Sequence, residues 1–224
     1  MSMEQLAKPW GELALYYDFA SRMWWGQLPY RDFFPEYPPF SLFFFWLANL
    51  GGERWFTLSY YSLILFFLFL SAIIVIRLKG NPYAMIASAF VLGGLFFDRF
   101  DLFPAFFVLL SFYLLKKYWQ WAFVVLGFGF LTKVYPILFL PILFFSVGWR
   151  HSLKGFLYFL IPIILTIGLI IGYGGGDGLK TLYQRHFNRG IQIESLRAMP
   201  MLIQALQGRR QVIIEYKNYT YEIK

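Results

Sequence analysis

Residues 56–76 read FTLSYYSLILFFLFLSAIIVI, an apolar run that contains no charged residue. Roughly 20 such residues in a helix cross the ~30 Å hydrocarbon core of a bilayer, so this stretch places the chain in a membrane. Composition points the same way. The chain is 59% hydrophobic, 23% aromatic and only 14% charged, against roughly 45–50% apolar and about 25% charged for soluble domains. Its mean hydropathy is +0.55. The expected fold class is an all-α polytopic membrane protein.

Outward from that run, Tyr83–Phe97, Leu102–Leu115, Tyr118–Thr132 and Val134–Trp149 are shorter apolar segments, and Phe156–Tyr173 approaches full length. Their polar ends bring several of them near spanning length, so six spans are expected. Re-entrant segments, or helices buried within the bundle, are the alternatives. Phe40–Leu50 is too short to span and reads as an interfacial or half-inserted helix. The expected organisation is an extracytoplasmic or interfacial loop segment over 1–55, a six-span bundle over 56–173 and an extracytoplasmic tail over 174–224.

Charge sorts the loops into two kinds. Arg77 and Lys79, Lys116 and Lys117, and Arg150 and Lys154 follow alternate segments without any acid beside them. By the positive-inside rule these turns face the cytoplasm. The opposite face then receives the N-terminal segment, Asp98–Asp101 (DRFD), Thr132–Pro136 and everything after Tyr173. The net charge of +8 is dispersed rather than gathered in a stripe, so no nucleic-acid partner is expected. The absence of cysteine excludes disulfides and thiolate metal sites. Met1–Pro9 lacks a basic region followed by an apolar run, so no signal peptide is expected.

The richest polar stretch is Gly26–Pro39, GQLPYRDFFPEYPP. Arg31, Asp32 and Glu36 lie there among four prolines, which stiffen the chain and prevent regular helix. Upstream, Gly11–Gln27 has helical spacing, with Leu13, Tyr16, Tyr17, Ala20, Met23 and Trp24 as an apolar band. Trp24, Trp25 and Tyr30 suit a membrane–water interface. Glu12 and Tyr16 share one helix face at i,i+4, while Asp18 can pair with Arg22 at the same spacing. An amphipathic anchor is the plain alternative for the whole segment.

Asp98, Arg99 and Asp101 occupy a turn between apolar helices, where charge is costly and is either paired or functional. Asp101 could simply cap the next helix and Asp98 neutralise Arg99. Lys133 could snorkel to the interface, but on this face it opposes the charge rule. In the tail, Lys180, Arg185, His186, Arg189 and Glu194 form a basic cluster. It would suit a phosphate through charge-assisted hydrogen bonds, or be a solvated loop. Gly174–Gly176 is not a phosphate loop, since no Gly-Lys-Ser/Thr follows. His151 and His186 lie on opposite faces, so no metal site is expected. Asn218–Thr220 matches the weak glycosylation pattern.

Taken together, Glu12–Pro39 (with PYRDF and EYPP), FDRFDLFPA (Phe97–Ala105), TKVYP (Thr132–Pro136) and RGIQIES (Arg189–Ser195) resemble, in order, blocks of family 87 of the GT-C superfamily of glycosyltransferases. The resemblance covers about residues 12–200. It implies a multi-span enzyme that moves a hexose, often mannose, from a polyprenyl-phosphate donor to a lipid or glycan acceptor outside the cell membrane. An early-loop acid four residues before a Tyr serves as base in that family, and Glu12 with Tyr16 has the matching spacing, with Glu in place of the usual Asp. No transmembrane helix precedes the loop and the family's later spans do not follow, so a fragment or a divergent short member is expected.

Glycosyl transfer from a phosphate needs a carboxylate to take the acceptor proton and cations to neutralise the leaving phosphate. Glu12 is the expected base, with Asp32 and Asp18 as fallbacks. Arg31, Arg99, Lys133, His186 and Arg189 are candidates for the phosphate. Asp98, Asp101 and Glu194 are candidates for sugar hydroxyls, Tyr16 and Tyr30 are further candidates for substrate binding, and Arg31, Asp32 and Glu36 are expected to shape the pocket. No cofactor is expected. The competing class is a non-enzymatic membrane protein, such as a flippase for lipid-linked sugars or an accessory subunit. Its polar groups would appear on both faces, whereas the acids here gather on one.

Overall fold

In the computed structural model the described residues are 11–187, 191–192, 199–207, 214–217 and 220–223. They divide into two compact units, residues 1–179 and 180–224. In the first unit, α1 (Glu12–Trp24) leads through the proline-rich loop to α2 (Pro39–Ala48) and a 3₁₀ turn at Asn49–Gly51. The long α3 (Glu53–Arg77) follows, then α4 (Pro82–Leu92), the short α5 (Gly94–Asp98), α6 (Leu102–Leu115) and α7 (Trp119–Thr132). A 3₁₀ stretch, Tyr135–Phe139, opens onto α8 (Leu140–Val147) and then α9 (Trp149–Gly172). Helix α10 (Gly176–Phe187) starts in the first unit and ends in the second.

Two of these helices, Glu53–Arg77 and Arg150–Gly172, are long and apolar enough to cross a membrane. Both exceed the segments read from hydropathy, because polar residues at their ends continue the helix. The other apolar helices are short, and two expected spans are interrupted. Tyr83–Phe97 breaks at Gly93, whose φ of 52° is a conformation glycine adopts without steric penalty. Val134–Trp149 begins as 3₁₀ helix because Pro136 and Pro141 each lack an N–H donor.

The core is aromatic and aliphatic. Phe123, Leu126, Leu131, Leu143 and Phe159 join α7, α8 and α9 in one buried cluster. Trp119 lies 5.1 Å from His151, and Phe130 lies 5.8 Å from Phe159, ring to ring. Helices α7 and α9 therefore run in the same direction, and the Lys116–Lys117 turn lies at the same end as the start of α9. Helix α2 is no isolated surface helix. Leu42, Phe44, Phe45 and Ala48 are buried, and Phe40 meets Phe128 of α7 at 4.9 Å. Its other face leaves Phe43 and Trp46 exposed. Outward faces of α3 (Leu65, Phe66, Phe69) and α9 (Ile164, Leu165, Leu169) are also exposed and apolar, the pattern of helices solvated by lipid rather than water.

The second unit adds a few short strands to this helical architecture. It contains α11 (Met199–Leu206), β1 (Ile191–Gln192), β2 (Ile214–Lys217) and β3 (Thr220–Ile223). The strands pair antiparallel in the order β1-β3-β2, with Lys217 opposite Thr220 and Ile214 opposite Ile223. Ile, Tyr and Thr favour the pleated surface, and they supply five of the eight residues of IEYK and TYEI.

Candidate active site

The proline-rich loop is built from within. Tyr30 is 1% exposed and donates its hydroxyl to the Tyr37 carbonyl, while its N–H bonds the Phe33 carbonyl at 2.8 Å. Its φ of 67° is unusual for a bulky residue, and these bonds together with burial hold it there. Burial also pushes its phenol above the ordinary value. A Cβ on Gly178 would overlap the Tyr30 backbone, with the Tyr30 carbonyl oxygen only 2.1 Å away. The Tyr173 hydroxyl bonds the Pro29 carbonyl at 3.0 Å. The loop is thus clamped by the chain that follows α9.

Within that loop Asp32 is fully engaged. Its Oδ1 accepts from Arg31 Nε at 2.8 Å, and its Oδ2 accepts from Arg31 Nη2 at 2.9 Å and from the Leu28 N–H at 2.7 Å. The Arg31 hydrogen bond, then that of Leu28, holds the carboxyl below its ordinary value, while the Asp32 bond raises the Arg31 guanidinium. This pair closes a turn. Asp18 pairs with Arg22 at 2.9 Å on an exposed face of α1, the plain reading of that residue. Glu36 is partly buried and has partners of its own.

The remaining polar residues of this unit converge elsewhere. Glu12 Oε2 accepts from the Tyr16 hydroxyl at 2.8 Å, and Glu12 Oε1 meets Arg99 Nη2 at 3.3 Å. Burial holds the Tyr16 phenol well above its ordinary value, so it stays a donor. Asp98 accepts from the Tyr61 hydroxyl at 2.7 Å, and Asp101 is bonded by the Lys133 ammonium. Lys133 also lies 5.1 Å over the Phe100 ring. Arg99 thus pairs with Glu12, and the Asp98 carboxylate is taken by Tyr61. Asp101 does not cap α6, whose start has no side-chain cap. Lys133 does not merely snorkel, because its counter-ion comes from the DRFD turn.

An aromatic floor underlies the cluster. Tyr16 stacks on Phe45 at 4.3 Å and meets Tyr37, Tyr60 and Phe100 at 5.6, 5.6 and 6.0 Å. Tyr60 and its neighbour Tyr61 join the site from inside an apolar run, where sequence reasoning misses them. Two adjacent tyrosines in that run are the available signal. Beside the cluster, α3, α4 and α5 enclose an apolar cleft of about 270 Å³ lined by Leu65, Phe69, Ala72, Ile86, Ala89 and Phe97. Phe97, which directly precedes Asp98 in the chain, is one of its lining residues.

Three polar blocks far apart in sequence thus form one acid–base constellation over an aromatic floor. A profile of glycosyltransferase family 87 matches residues 34–202, which is most of the chain. The protein belongs to glycosyltransferase family 87. No curated protein and no solved structure matches the chain. The family assigns glycosyltransferase activity, with a sugar donor and an acceptor as substrates, to a membrane protein. DRFD and TKVYP fall within the matched residues, while Glu12, Tyr16 and PYRDF up to Phe33 precede them. Among the described residues, no three His, Asp or Glu side chains gather to hold a metal ion. Of the tail residues, the His186 side chain, Arg189 and Glu194 lie outside the described residues. Lys180 and Arg185 belong to the second unit.

Proposed function

We propose that this family 87 protein is a GT-C-type transferase of the cell membrane, with six spans. It would move a hexose, mannose foremost, from a polyprenyl-phosphate donor to a lipid or glycan acceptor on the extracytoplasmic face. The observation that carries this reading is the convergence of Glu12, Arg99, Asp101 and Lys133 at one end of the first unit. The basic turns at Lys116–Lys117 and at the start of α9 follow the opposite ends of the helices.

In the proposed reaction the acceptor oxygen attacks the anomeric carbon and inverts it. The bond from that carbon to the phosphate oxygen breaks, and the acceptor proton passes to Glu12. Charge developing on the phosphate is neutralised by Arg99 and Lys133, the kind of preorganised stabilisation that carries large rate effects. Asp98 and Asp101 hold sugar hydroxyls. Asp32 and Arg31 shape the loop above, a role their mutual pairing supports better than that of base. The apolar cleft beside Phe97 suits the first hydrocarbon units of a lipid-linked donor.

The test is transfer of radiolabelled sugar from polyprenyl-phosphate donors in membranes that express the chain. Extractable labelled product, absent in Glu12→Gln, is the expected result. No product from any donor with a well-expressed protein would overturn the reading.

A further inference from the structure

Glu12 enters the resting site already engaged, with Tyr16 on one oxygen and Arg99 on the other. If Arg99 turns to a donor phosphate, Oε1 loses its partner at the moment the carboxylate must stay oriented. A group nearby is without a hydrogen bond. The Tyr60 hydroxyl is buried and finds no partner among the described residues, on a side chain with 0% exposure. Its ring lies 5.6 Å from that of Tyr16, which holds Glu12. Its chain neighbour Tyr61 holds Asp98.

A buried hydroxyl without a hydrogen bond costs about 1–3 kcal/mol, so such groups are rare and call for a reason. We infer that Tyr60 is a positioning residue of this site, whose hydroxyl takes over Glu12 Oε1 when Arg99 turns to the donor phosphate. The exchange is physically easy. The Glu12–Arg99 pair is 40% exposed on both sides, and such pairs contribute little to stability. A phosphate offers the guanidinium two oxygens in a matching fork. Tyr60 then replaces a cation with a neutral donor, which keeps the carboxylate aimed and leaves it anionic to receive the acceptor proton. This role rests on the proposed function.

Tyr60→Phe in the full chain separates this from a packing role. The melting temperature in detergent is expected to stay or rise, because the deleted hydroxyl has no partner at rest. In the same assay kcat is expected to fall about ten- to hundredfold, the scale of one hydrogen bond to a charged group, with donor KM unchanged. Tyr61→Phe serves as contrast. It removes a hydroxyl that is bonded at rest, so its melting temperature is expected to fall. A clear loss of stability in Tyr60→Phe would show a resting partner and overturn the inference. Unchanged kcat beside an active wild type would overturn this inference alone. An inactive wild type would overturn the proposed function, and this role with it.

Discussion

Glu12 at the start of α1 and Arg99 in the turn before α6 meet at 3.3 Å. That contact joins the N-terminal segment to the DRFD turn and defines where proton transfer and phosphate binding would meet. With both side chains 40% exposed, the pair adds at most about 1 kcal/mol to stability.

Glu12→Gln and Arg99→Gln are therefore expected to fold like the wild type, with melting temperatures nearly unchanged. Glu12→Gln removes the proposed general base, a loss worth about 10²- to 10⁴-fold, which should appear in kcat. Arg99→Gln should instead raise donor KM as well as lower kcat. Steady-state transfer kinetics on purified variants would read both. Wild-type kcat in Glu12→Gln would move the base elsewhere.

The Asp101–Lys133 pair is also partly exposed, at 47% and 38%, so its coupling energy should be modest. A double-mutant cycle with Asp101→Asn and Lys133→Met is expected to give about 1 kcal/mol or less in stability. Activity should not follow stability. Both single variants and the double variant are expected to lose donor turnover, because each removes a group assigned to the substrate. Full activity in the double variant would reduce the pair to a structural clasp.

Asp32 makes a pH prediction. Its folded carboxyl is held below the ordinary value of 3.8 by the Arg31 and Leu28 hydrogen bonds. A depressed carboxylate stabilises the fold fully above the ordinary value, and that contribution is lost as pH falls through the lowered folded value. The loop at Leu28–Phe33 should thus stay protected from hydrogen exchange at neutral pH and loosen only below pH 3.8. In Asp32→Asn the acid step should vanish, while Tyr30 and Tyr173 still hold the loop. An acid step that survived in Asp32→Asn would assign it to another group.

The i,i+4 spacing makes the Glu12–Tyr16 pair legible in the sequence, since a helix puts both residues on one face. The polarity of the turns likewise groups Glu12, DRFD and TKVYP. The partners within that group are not legible. Sequence offers Asp98 as the partner of the adjacent Arg99, whereas the fold brings Glu12 to Arg99, Tyr61 to Asp98 and Lys133 to Asp101. Adjacent residues in a turn point in different directions, and only helix packing decides which distant groups they face. Helix lengths escape hydropathy for a related reason. The apolar signal begins at Phe56 and at Phe156, but the helices start earlier, at Glu53 and Trp149, and the backbone breaks at Gly93 inside an apolar run. Tyr60 is hidden because a phenol in an apolar stretch looks like packing until its hydroxyl is found without a partner.

The apolar cleft between α3 and α4 offers a prediction that leaves the polar groups untouched. Ala72 is partly buried and lines it. Ala72→Phe would fill part of the roughly 270 Å³ with a side chain already suited to apolar surroundings, so the melting temperature should hold. If the cleft takes the first hydrocarbon units of the donor, KM for polyprenyl-linked donors should rise severalfold. Burial of apolar surface is worth about 0.8 kcal/mol per CH₂, so displacing even one or two methylenes is measurable. A donor truncated to a short or absent chain should be used equally by the variant and the wild type. Equal donor KM in both proteins with the long-chain donor would place the lipid on another face of the bundle.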